Sequence, residues 1–236
     1  MKPKAAASLF LLALAVGCTA VRGSGVVITI DVPIDDFTRL SVSHSFVVNV
    51  TVGDEPSLTL RVDDNLEASL NVGVTDGTLL IGLEPRTTVS NATLEADVTV
   101  TTLDAIEGSG AVDIHLGTMS GSTLELRMSG ASDIDGAVDF ESMNGEISGA
   151  SNMSLSGRIG TIDIEASGAS DLSILDVEVD VLTVRLSGAS SAEVNVSDSI
   201  DANVSGASSL RYRGDPDVSA LDVSGASNID KITDPG

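Results

Sequence analysis

Few residues in this chain of 236 could do chemistry, and most of those are carboxylates. The two histidines, His44 and His115, lie far apart in sequence, and neither has a second histidine or a cysteine near it. Neither a zinc ligand set nor a nucleophile with its base is therefore spelled out. No G-x-S-x-G elbow, phosphate loop or zinc spacing occurs. Among the 35 Asp and Glu residues, Asp113, Asp133 and Asp171 recur at equivalent places, with Asn152 in the same series. Carboxylates in a row could hold calcium, which takes roughly six to eight oxygens. The glycine- and aspartate-rich nonapeptides of calcium-binding β-rolls are absent, however. Asp113 and Asp133 are the candidate cation ligands. Rotation into water, with Asn152, Ser191, Ser209 and Asn228 diluting the charge, relieves their repulsion more simply, so no metal or cofactor is expected. Arg127, Arg158, Arg185, Arg211 and Arg213 are spread over the sequence. In polysaccharide lyases and hydrolases such groups gather on one face. No catalytic residue is assigned, and the chain reads as a non-enzyme. Charge balance explains the arginines, with Arg127 between Glu107 and Glu146 on neighbouring rungs and Arg185 beside Glu165.

The one remaining reactive group is Cys18, the sole cysteine. Lys2 and Lys4 precede residues 5–17, where Ser8 is the only polar side chain. That is the basic start and short apolar core of a signal peptide, too short to span a bilayer. The A-V-G-C that closes it resembles the lipobox of bacterial lipoproteins, which implies cleavage before Cys18, its lipidation, and a membrane partner through that anchor. Several acyl chains, at about 0.8 kcal/mol per buried methylene, would hold the protein on a membrane. Thr19 in place of Asp favours, by the same resemblance, the outer membrane over another envelope membrane. One cysteine allows no disulfide. Loss of Lys2 and Lys4 would take the formal charge from −23 to −25. Such a surface repels phosphates and excludes nucleic acid as a partner.

Positioning of these groups falls to a repeat. S-G-A-S, first written S-G-A-V, places its glycine at Gly110, Gly130, Gly149, Gly168, Gly188, Gly206 and Gly225, with steps of 20, 19, 19, 20, 18 and 19 residues. Near-even steps of this length mark a solenoid. The column before each motif (Gly108, Met128, Ile147, Ala166, Leu186, Val204, Val223) is apolar or small, and the one before that (Glu107, Arg127, Glu146, Glu165, Arg185, Asn203, Asp222) is polar. After the motif Asp113, Asp133 and their equivalents alternate with Ile114, Ile134, Met153 and Leu172. Period-two alternation on both sides makes each repeat a strand, a corner and a strand with one buried face. At the corner glycine supplies a positive φ, and the alanine has room only for a methyl group if it packs inward. The serines can bond backbone groups left free by the bend, and one another across rungs about 4.8 Å apart. Only Phe10, Phe37, Phe46, Phe140 and Tyr212 are aromatic, which suits a thin aliphatic interior.

Before the repeat, V-V-I-T-I, R-L-S-V-S, F-V-V-N-V-T-V, S-L-T-L-R-V, L-L-I-G-L and A-D-V-T-V-T-T-L read as strands. Residues 64–70 allow one helical turn, and Ser43-His44-Ser45 looks like a degenerate corner. This half should continue the all-β stack or cap it. The chain divides into a signal peptide (1–17), a lipidated cysteine and linker (18–25), an irregular β part (26–104), the repeat solenoid (105–232) and a tail (233–236).

F-T-R-L-S-V-S-H-S-F-V-V-N-V-T-V-G, L-R-V-D-D-N-L, D-G-T-L-L-I-G-L and V-T-V-T-T-L-D-A-I-E-G-S-G-A-V-D-I, in that order, resemble the blocks of the putative auto-transporter adhesin head GIN domain family. In that family they precede S-G-S-G or S-G-A-S repeats, so the resemblance, over residues 26–232, implies an all-β, β-helix-like solenoid. It carries over no catalytic residue. The expectation is a non-catalytic envelope lipoprotein whose ladder surfaces bind an envelope protein, a glycan or a second copy. The alternatives are a carbohydrate-active β-helix enzyme and a structural spacer without a ligand.

Overall fold

The computed structural model describes residues 20–233. Cys18, the stretch 1–17 expected to be a signal peptide, and all but the first residue of the 233–236 tail lie outside the described residues. The alternation dictates the architecture, because a strand with one apolar face must bury it, and identical strands do so by stacking in register. Residues 105–231 wind into parallel turns of about 19 residues. Ser109 lies across from Ser129, Gly110 from Gly130 and Ile114 from Ile134, which in turn faces Met153. The inward columns close over one another, and Ile114, Met153, Leu172, Leu182 and Val204 are almost wholly buried. Each such side chain contributes roughly 1.5–3 kcal/mol.

Each turn has more bends than the strand–corner–strand reading allowed. In Asp171–Leu186 the buried residues are Leu172 and Ile174, then Val177 and Val179, then Leu182, Val184 and Leu186. The alternation changes phase twice, so a turn consists of three flat stretches. Register shifts fall at these phase changes, between Ile174 and Glu178 and between Val179 and Val181. A bulge there lets the chain change direction and absorbs the variation in turn length.

The third bend is the S-G-A-S corner. Its seven glycines have φ between 75° and 95°. Each alanine N–H donates 2.7 Å to the carbonyl of the glycine, or its equivalent, one turn earlier, from Ala226 to Gly206 back to Ala111, which donates to His44. His44 heads the column with φ 70°, so Ser43-His44-Ser45 is indeed a corner in which histidine stands where later turns have glycine. The alanines point outward, contrary to the inward packing considered from sequence. The second serine is the buried one: Ser132, Ser151, Ser170, Ser190 and Ser208 are at most 1% exposed. In Ser132, Ser151, Ser170 and Ser190 the hydroxyl donates to the carbonyl of the first serine of its own motif, as Ser170 does to Ser167 at 2.9 Å. Across turns, the Ser132 N–H donates to Ser151 Oγ at 3.3 Å. A polar side chain is tolerated in the interior because these bonds satisfy it.

Toward the N-terminus, Arg39–Val42 and Val47–Val52 make the turn preceding Ala105–Gly110, and Thr78–Leu83 and Leu94–Val100 make one more, all parallel. Pairing then turns antiparallel. Leu70–Thr75 lies on Thr78–Leu83, Ser57–Asp63 on Leu94–Val100, and Val27–Val32 on Ser57–Asp63. The chain thus caps its own stack, with the single 3-10 turn Asp64–Ser69 burying Leu66 beside it.

Candidate functional site

Three flat stretches per turn give the solenoid three outward faces, each a grid of side chains set by the parallel register. On the face after the corner, Asp113 lies across from Asp133, Asp133 from Asn152 and Asn152 from Asp171, as the spacing required. Repulsion along this row is relieved by hydrogen bonds. Asn152 Nδ2 donates to Asp133 at 2.7 Å, and Ser191 Oγ donates to Asp171 at 2.8 Å. The neighbouring row runs from Asn49 through His115, Asp135 and Ser154 to Ser173. His115 sits between carboxylates, with Nδ1 2.6 Å from Asp135 and Nε2 3.6 Å from Asp113. Sequence reasoning saw His115 as a lone histidine. The partner it missed, Asp135, is 20 residues away and becomes a neighbour only through the turn length.

His44 has a different role. Its Nδ1 accepts the Leu83 N–H at 3.2 Å and lies 2.9 Å from Ser43 Oγ, and burial lowers its pKa, favouring the neutral ring. A neutral imidazole with Nδ1 committed to the backbone holds the corner together.

On the face before the corner, Glu107, Arg127 and Glu146 are register neighbours, as are Glu165 and Arg185. The ion pairs run otherwise, Arg127 to Glu125 along its own strand at 3.4 Å and Arg185 diagonally to Asp163 on the preceding turn at 2.8 Å. Between the two arginines is a shallow groove of about 370 Å³, lined also by Asn144, Glu146 and Glu165. The third face carries Arg158, paired with Asp180 at 2.9 Å. Arg127 and Arg185 therefore share one face, as their common column before the motif implied, while Arg158 and Arg211 belong to the other two. These pairs are more than half exposed on the arginine side, and each contributes about 0–1 kcal/mol.

Among the described residues one carboxylate is buried. Asp63 accepts the Thr93 and Gly25 N–H groups, each at 2.6 Å, and the Ser24 hydroxyl at 3.4 Å. Those bonds, the Thr93 one foremost, hold its pKa below the usual carboxylate range. It ties the segment leading in from residue 20 to the cap. Nothing in the sequence distinguished it from Asp64.

A family model described as putative auto-transporter adhesin, head GIN domain, matches residues 36–216. Among solved structures, a putative adhesin from Bacteroides fragilis NCTC 9343 is 21% identical, with 90% of this chain and 100% of that chain covered and a TM-score of 0.83. A putative adhesin from Parabacteroides merdae ATCC 43184 is 20% identical over 91% of this chain and 99% of that chain, with a TM-score of 0.72. A putative lipid binding protein from Parabacteroides distasonis ATCC 8503 is 18% identical over 91% of this chain and 100% of that chain, with a TM-score of 0.72. At these identities the likeness is one of fold. No curated protein matches the sequence.

Proposed function

Since the chain belongs to the putative auto-transporter adhesin, head GIN domain family, we propose that it is a non-catalytic cell-envelope protein, exported and lipid-anchored through Cys18. Its solenoid faces bind a glycan, an envelope protein or a second copy. The observation that carries this role is the regularity of the outward grid. On flat faces, charged and polar side chains repeat at strand spacing, which suits multivalent contact with an extended ligand. The groove between Arg127 and Arg185 supports recognition over catalysis. A general acid needs a carboxyl raised by its surroundings; Glu146 and Glu165 face each other in register but both are exposed, where water and salt screen their repulsion, and Asp163 is ion-paired.

Purified protein is tested against envelope glycans, envelope protein fractions and immobilised copies of itself, beside a variant carrying Arg127→Glu and Arg185→Glu. Saturable binding weakened by the charge reversal is the expected result. If no fraction is retained, or if the protein releases reducing sugar from envelope polysaccharide, this role is wrong. The anchor is tested separately by membrane fractionation of Cys18→Ser, expected to leave the membrane. Unchanged retention would refute the anchor.

A further inference from the structure

We propose that Asp113, His115 and Asp135 form a surface site for one divalent transition-metal ion of the zinc class. The site is independent of the binding role proposed above. Asp113 and His115 project from the same face two residues apart, and the parallel register brings Asp135 across from His115 on the next turn. One ligand atom from each residue lies within 4.8 Å of the other two. Donors on a tetrahedral zinc, at about 2.0–2.2 Å from the metal, stand roughly 3.3–3.5 Å apart. Asp135 lies 2.6 Å from Nδ1 and Asp113 3.6 Å from Nε2, so the two carboxylates flank the ring, and rotation of these solvated side chains is what would bring both onto the metal bound by one imidazole nitrogen. The backbones beneath need not move, because Ile114, between Asp113 and His115, and Ile134, next to Asp135, are buried and fix both turns.

Electrostatics points the same way from a separate observation. Among the described residues, the only ion-pair partner of Asp113 and of Asp135 is His115. Arg61 and Arg211 on this face are committed elsewhere, Arg61 to Glu95 and Asp97 and Arg211 to Glu193. Asp133, which faces Asp113 one turn on, adds a third negative charge to the patch. The donors decide which cation is taken. One imidazole nitrogen and two carboxylates form a borderline set that suits zinc and its neighbours. Calcium wants roughly six to eight oxygens, and the row in which calcium was considered has Asp133 already bound by Asn152. Three protein donors leave a coordination position open to water or to an incoming ligand atom.

The test uses the full chain carrying Cys18→Ser, so that the lone thiol binds no metal, titrated with zinc by calorimetry and with cobalt(II) by visible absorption. One saturable zinc per chain is expected. His115→Gln or Asp135→Asn should weaken it by at least about tenfold, the lower end of what even an outer-shell change costs. Asp171→Asn and His44→Gln should leave it unchanged, and calcium in excess should not compete. The side chains exchanged at His115, Asp135 and Asp171 are solvated, so metal-free melting temperatures of those three variants should match the parent, whereas His44→Gln loses a corner contact and is compared only for its zinc stoichiometry. Unsaturable binding, loss with His44→Gln but not with His115→Gln, or displacement by calcium at equal concentration would overturn the site.

Discussion

Gly168 shows how one atom decides the corner. It sits at φ 84°, and a Cβ there would run into the backbone carbonyl of Gly149 on the previous turn. Both the left-handed backbone and the clash oppose any side chain, so Gly168→Ala should cost about 2–3 kcal/mol. The adjacent Ala169 is exposed, and Ala169→Ser should stay within about 0.5 kcal/mol. Chemical denaturation of the two variants measures the contrast, and equal costs would contradict the corner geometry. Asp63 makes a prediction in pH. Its folded-state pKa is lowered, so its contribution is fully present above the unfolded value of about 3.9 and is lost as pH falls through the folded value. The Asp63→Asn variant should be less stable than the parent at neutral pH, and the gap should narrow below about pH 4. Denaturation midpoints at several pH values would show it, and a gap that stays constant would remove Asp63 from the acid response. The glycine column was legible because glycine alone meets that φ. Asp135 and Asp63 were not, since their partners are set by register and by chain path, which no local pattern encodes.

At the level of the strand, the inward and outward columns flanking the motif read correctly because burial on one face imposes period two. The two further bends escaped because no fixed residue type makes them. Some turns use a positive-φ glycine, Gly136, Gly157 or Gly214, and the turn starting at Asp171 uses a bulge with none. The difference between bend and face predicts where the chain tolerates length. One glycine inserted between Leu175 and Asp176 enters a stretch out of register with both neighbouring turns and should be accommodated with a small loss of melting temperature. The same insertion between Thr183 and Val184 would throw Val184 and Leu186, both buried, onto the outer face, and should abolish cooperative unfolding. Thermal melts by circular dichroism distinguish these outcomes, and equal tolerance at both sites would contradict a three-stretch turn. The antiparallel cap was foreseen only as a need. Which strands would supply it depends on the chain returning on itself between Leu70–Thr75 and Thr78–Leu83, a choice made by the turn at Asp76 and Gly77, both at positive φ.

Across the whole molecule, cohesion comes from contacts between neighbouring turns, so stability accumulates turn by turn along one axis. The corner ladder from His44 to Ala226 consists of backbone hydrogen bonds that link each turn to the next, every one 2.7 Å long. Suppose the N-terminal end is held and the far end is pulled. The load then falls on the outermost turn, whose bonds must part before those beneath feel the full strain. Extension should proceed by peeling, one turn at a time. About 19 residues freed per event, at roughly 3.3–3.6 Å each, would lengthen the chain by about 65 Å. Single-molecule stretching should therefore give a regular sawtooth with that period, and one abrupt rupture of the whole stack would contradict it. A stack built this way dissipates mechanical work in small steps along its length, each turn acting as a separate shock absorber ahead of the next.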